Sequence, residues 1–127
     1  MAKINQYQDI SQVEREAKKD YIDRHSPFIH CEDTAKLGEK FKVKVKLGNE
    51  YPHPDDFDHF IQNIQLWSGE VKLGEVAFPP GTFGNKAGHA EVDFYIVPTK
   101  KNLKLTAMAY CTKHGLWQSE VKEVTAE

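Results

Sequence analysis

From Lys40 to Leu47 charged and apolar residues alternate without a break, with Phe41, Val43, Val45 and Leu47 on one side of an extended chain and Lys40, Lys42, Lys44 and Lys46 on the other. Successive side chains of a β-strand point to opposite faces, so a half-buried strand places all four apolar residues in a core. A helix of 3.6-residue period would scatter them. We read the lysine row as the solvated or protective face of an edge strand, where charge discourages pairing with a second chain, rather than as a docking stripe.

Further strand-like runs follow at residues 60–67, 71–78, 90–97, 103–110 and 117–124, separated by turn-rich segments such as Ser68-Gly69. Six or seven strands with short connections predict an all-β chain folded as a seven-stranded β-sandwich. Two connections are longer than hairpin turns, Gly48 to His59 and Pro79 to His89, and long ordered loops in a small domain tend to carry function. Near the start, Ser11-Gln12-Val13-Glu14 has the spacing in which two side chains satisfy free N–H groups at a helix start, which predicts a short helix from Gln12 to Asp20. With few apolar positions, residues 1–22 read as an arm lying on the domain or on a neighbouring subunit, and residues 23–127 as the domain.

A length of 127 residues fits one core. Seventeen Lys and Arg against 19 Asp and Glu leave a net charge of −2, which argues against nucleic acid as the partner. No apolar run approaches the roughly 18 residues needed to span a bilayer, and the first residues lack the apolar stretch of a secretory signal, so the expectation is a cytoplasmic protein with no membrane partner. Cys31 and Cys111 are the only cysteines and no Cys-x-x-Cys occurs, so any metal site must use histidine.

Six histidines are present, and their contexts say more than their number. His25-Ser26-Pro27, His53-Pro54 and His114-Gly115 place imidazoles in loops where they can converge. Cys111-Thr112-Lys113-His114-Gly115, at the end of an apolar strand, sets a thiolate and an imidazole three residues apart in a turn, and backbone N–H groups inside such a turn can point at the sulfur. With His53 and His59 flanking a proline-led loop and His25 at the domain start, four imidazoles and one thiolate make a five-ligand site with one open position. Zinc usually stops at four ligands, so five point toward iron. His30 and His89 read as exposed or hydrogen-bonded, Cys31 as a small buried apolar residue closing the first strand, and Lys86 and Lys113 as solvated.

Three segments resemble the superoxide reductases, the desulfoferrodoxin and neelaredoxin proteins: Asp23-Arg24-His25-Ser26-Pro27, His53-Pro54-Asp55-Asp56-Phe57-Asp58-His59 and Cys111-Thr112-Lys113-His114-Gly115-Leu116-Trp117. The resemblance spans residues 23 to about 124. It implies an immunoglobulin-like β-sandwich, with His25, His53, His59 and His114 equatorial around one iron per chain and Cys111 axial. It further implies one-electron reduction of superoxide to hydrogen peroxide, an external electron donor such as rubredoxin, and a homo-oligomer, dimer or tetramer. Asp23 takes the position of a glutamate that serves such proteins as a movable sixth ligand, on a side chain one methylene shorter. Arg24 takes that of a lysine that draws in the anion, and Thr112 stands where asparagine is usual.

Two other readings fit parts of the pattern. A cupredoxin also joins a sandwich to a loop bearing Cys and His, but it wants a methionine soon after the second His, and none follows His114. An immunoglobulin-like binding module with a structural zinc would use Cys111 and some of the histidines while leaving donors over.

Overall fold

The alternation at 41–47 becomes strand β4 (Phe41–Leu47), whose Val43, Val45 and Leu47 are fully buried. In this computed structural model, which describes residues 7–9 by backbone alone and residues 19–127 in full, β4 is not at an edge. It lies between β2 (Pro27–His30) and β7 (Glu91–Ile96) in a three-stranded antiparallel sheet. Lys44 and Lys46 stand opposite Asp93 and Glu91 of β7, and Lys44 Nζ reaches the Glu91 carboxylate at 3.0 Å. The edge reading of the lysine row is thereby corrected: acidic residues on the neighbouring strand stand opposite Lys44 and Lys46, a cross-strand pattern that local sequence does not reveal.

The second sheet is built around β8 (Asn102–Cys111), which is almost continuously buried and pairs along both sides. On one side lies β5 (Ile61–Ser68), followed outward by β6 (Val71–Ala77). On the other side β9 (Gly115–Gln118) pairs with the C-terminal half of β8 and β10 (Lys122–Ala126) with its N-terminal half. Two short strands pair in parallel at the periphery, β1 (Tyr7–Asp9) along β9 and β3 (Thr34–Ala35) along β10. Val43, Val45 and Leu47 meet Ile64, Leu66, Leu105, Ala107 and Ala109 between the sheets. Each large aliphatic side chain so buried contributes about 1.5–3 kcal/mol.

Among the described residues the β-sandwich therefore has ten strands, for two reasons. Very short β1 and β3 carry no periodic signal, and the run 117–124 is two strands instead of one. At the break Ser119 N–H donates to the Ala107 carbonyl while its hydroxyl accepts the Ala107 N–H, both at 2.8 Å. A side-chain oxygen thus takes the place of a strand carbonyl, and the chain steps aside before pairing resumes at Lys122.

The helix expected over Gln12–Asp20 falls, for residues 12–18, outside the described residues. The helix observed is α1 (Lys19–His25), which runs across the expected boundary at residue 23 and buries Ile22 against Trp117. It ends where Pro27 disfavours helical geometry at Ser26, and the Ser26 N–H and hydroxyl both donate to the Ile22 carbonyl. No helix among the described residues is long and apolar enough to cross a membrane.

Candidate metal centre

Five side chains converge from three places in the chain. The last turn of α1 delivers His25, whose Nδ1–H donates to the Tyr21 carbonyl at 2.7 Å and leaves the Nε2 lone pair free. The long connection between β4 and β5 delivers two more. His53 is held by paired backbone hydrogen bonds with Gly88, 2.8 and 3.0 Å, and its Nδ1–H donates to the Pro54 carbonyl at 2.6 Å. His59 closes a tight turn in which its N–H and C=O exchange hydrogen bonds with Asp56.

The hairpin between β8 and β9 supplies the rest. Cys111 is the last residue of β8, fully buried, and His114 follows after two turn residues. Gly115 takes φ 86°, the left-handed conformation that closes a short hairpin loop. The His114 N–H donates to Cys111 Sγ at 3.4 Å. Thr112 ties this turn to the histidine loop: its N–H donates to the Phe60 carbonyl at 3.0 Å and its hydroxyl accepts the Phe60 N–H at 3.1 Å. The residue after Cys111 is thus fastened to the residue after His59.

The four rings form a closed pinwheel. His25–His53, His53–His59, His59–His114 and His114–His25 have centroids 4.8–5.0 Å apart and planes 76–81° from one another. Across the diagonal, His25 and His59 are 6.4 Å apart and nearly parallel. Donor atoms of His25, His59, Cys111 and His114 all lie within 4.8 Å of one another, and His53 Nε2 lies 3.3 Å from Cys111 Sγ.

Burial favours the neutral form of three of these rings. It pushes His25 down to about 3 and His53 down to about 4, against smaller opposing effects of their backbone hydrogen bonds. His59 is lowered as well, by burial first and by the charges of His114 and Lys113 next. His25, His53 and His59 are therefore neutral at pH 7, with lone pairs available. Burial raises the Cys111 thiol, opposed by the backbone N–H groups of Lys113 and His114, so a metal ion would displace its proton.

The donor set fits a metal ion on one further observation. His59 Nε2 is buried with no hydrogen-bond partner, a costly arrangement unless something else engages it. His25 Nε2 and His114 Nδ1 face each other at 3.1 Å, two donor atoms turned to one point.

Asp23 is not turned into this cluster. Its carboxylate accepts the N–H groups of Asn49, Glu50 and Tyr51 at 2.8–3.2 Å, which fastens α1 to the start of the loop bearing His53. Arg24 is half-buried, its Nε lacks a hydrogen-bond partner, and its charge adds to the burial that lowers His53. His30 is exposed, and His89 is half-buried with Nδ1 2.9 Å from the Leu47 carbonyl. Cys31 is partly exposed at the end of β2, packed against the core instead of enclosed by it.

Sequence reasoning missed three supports of the cluster. Trp117 lies against His25, Tyr21 sets its ring edgewise to His114 and Trp117, and Asp55 fastens the loop behind His53. Only the short spacing from His114 to Trp117 carried a signal.

A β-sandwich whose helix, loop and hairpin gather four imidazoles and a buried thiol offers a metal-binding site. The chain belongs to the desulfoferrodoxin family, whose model matches residues 13–120. It is 37% identical over 111 residues to the superoxide reductase of Pyrococcus furiosus, covering 78% of this chain and 87% of that protein. To the neelaredoxin of Megalodesulfovibrio gigas it is 32% identical over 111 residues, with 76% and 84% covered. A solved structure of a variant of the superoxide reductase (neelaredoxin) from Ignicoccus hospitalis superposes with a TM-score of 0.77 at 33% identity, covering 95% of this chain and 94% of that one.

Proposed function

We propose that this chain is a superoxide reductase that binds one iron through His25, His53, His59, His114 and Cys111 and converts superoxide, with one electron and two protons, to hydrogen peroxide. The observation that carries this reading is the pinwheel of four imidazoles beside a buried thiol, in a chain of the desulfoferrodoxin family. Five donors exceed the four that zinc usually takes, and no methionine follows His114 as a copper site of the cupredoxin kind would want.

Bound iron supplies the one-electron couple. The protein's own part is arrangement and charge. Tyr21 and Pro54 carbonyls fix the tautomers of His25 and His53 so that each offers Nε2. The N–H of His114 steadies the sulfur and moderates its donation. The Trp117 indole covers one face of His25 and keeps water from it. Arg24, beside His25, raises the potential felt by an approaching anion. A small electron-transfer protein such as rubredoxin restores the reduced state, and the protein works in the cytoplasm as a dimer or tetramer.

Metal analysis with a visible spectrum tests the proposal. The purified protein carries about one iron per chain and a thiolate-to-ferric absorption band that Cys111→Ser abolishes. A band that survives this substitution removes Cys111 from the ligand set; a zinc-only protein without superoxide-reducing activity after iron loading overturns the function.

A further inference from the structure

We propose that Asp55 is a positioning residue for His53, holding the 79–89 loop so that the loop in turn aims the imidazole at the metal. This rests on the reading of His53 as a ligand. Asp55 is an acidic side chain only 3% exposed, an expensive placement unless its charge is well satisfied. Its partners are three backbone N–H groups of one loop: Gly81 at 3.3 Å on Oδ1, Phe83 at 2.8 Å and Asn85 at 3.1 Å on Oδ2. Such charge-assisted bonds from alternate N–H groups fold the loop around the carboxylate.

The same loop returns to the metal centre. At its far end Gly88 exchanges both backbone hydrogen bonds with His53. Asp55 also follows Pro54, whose carbonyl receives the His53 Nδ1–H. His53 is thus fixed at its backbone by one end of the loop and at its ring by the residue next to the carboxylate that holds the other end. On the ring itself, direction comes from the short bond to Pro54, the approach to Cys111 Sγ and edgewise contacts with the His25 and His59 rings.

An amide in place of the carboxylate must turn its NH2 group toward at least one of the three N–H donors. The loop then loosens while the volume stays nearly constant. Loss of such an orienting contact around a metal ligand typically costs 10–100-fold in metal affinity.

The test is a double-mutant cycle on the full chain, metal removed, titrated with Co2+ and read by its ligand-field bands. Asp55→Asn weakens Co2+ binding by about tenfold and shifts the bands. In the His53→Ala background the same substitution changes affinity by less than about twofold, because the ring it positions is gone. Gly81→Ala provides a second route should Asp55→Asn fail to fold. Gly81 has φ 89°, an added Cβ would sit 2.7 Å from Asn85 Oδ1, and the strain disturbs the loop with Asp55 intact. It also weakens Co2+ binding in the otherwise wild-type chain, and only slightly in the His53→Ala background. An equal loss with and without His53 overturns the proposal and leaves the metal site standing. A His53→Ala chain that binds Co2+ as the wild type does overturns His53 as a ligand, and the proposal with it.

Discussion

The indole of Trp117 lies face to face with the imidazole of His25, 4.9 Å between centroids and 15° from parallel, while its Nε1–H donates to the His114 carbonyl at 3.2 Å. One fully buried side chain therefore touches a ring from α1 and a carbonyl from the β8–β9 hairpin, two segments 89 residues apart at His25 and His114. Trp117→Phe keeps most of the apolar contact and strands the carbonyl, which costs about 1–3 kcal/mol. Trp117→Ala also opens a cavity and costs about 3–5 kcal/mol. Urea unfolding of the metal-free chain measures both. Equal midpoints for the two variants contradict a role for the stacked ring.

Acid should destabilise the metal-free chain early. In the unfolded chain each imidazole titrates near 6.5. In the folded chain burial holds His25 at about 3 and His53 at about 4. Between these limits the unfolded chain binds more protons, so stability falls as pH falls. It is complete above about 6.5 and drains away toward the folded values. Each group sets a slope of up to about 1.4 kcal/mol per pH unit within its window. Urea midpoints recorded from pH 7.5 down to 4.5 should decline steadily below 6.5; a flat profile to pH 5 would show that these rings are not held neutral by burial.

The legible parts of this molecule were those written in short-range pattern. Alternation located β4, and the Cys111-to-Gly115 spacing marked a turn, which the structure makes a β8–β9 hairpin closed at Gly115. What escaped depends on partners distant in sequence. The lysines of β4 look like an edge until Glu91 and Asp93 are brought beside them. Ser119 interrupts a strand through a bond to Ala107, twelve residues earlier. The Thr112 hydroxyl and N–H together secure Phe60, a role visible only once β5 and β8 are paired. Asp23 and Asp55 look alike as acidic residues beside histidines, and both prove to spend their oxygens on loop N–H groups.

Neighbouring residues Asp23 and Arg24 should separate cleanly under substitution. Asp23→Ala strands the N–H groups of Asn49, Glu50 and Tyr51 and lowers stability by about 1–3 kcal/mol, since bonds to a charged acceptor are among the stronger ones. With its oxygens engaged there, its loss should hardly slow superoxide reduction. Arg24 has the opposite profile. Its charge reaches His53 and its Nε has no hydrogen-bond partner, so its removal perturbs the field at the centre more than the fold. Attraction of a small anion by a charge near the surface is screened over a Debye length of about 8 Å at physiological ionic strength. The wild-type association rate should therefore fall as salt rises, and Arg24→Ala should lower the rate at low salt and flatten its dependence on salt. Pulse radiolysis of both variants across ionic strengths makes the comparison, with urea unfolding alongside. A wild-type rate and salt slope in Arg24→Ala, together with loss of the reaction in a stable Asp23→Ala, would reverse the two roles.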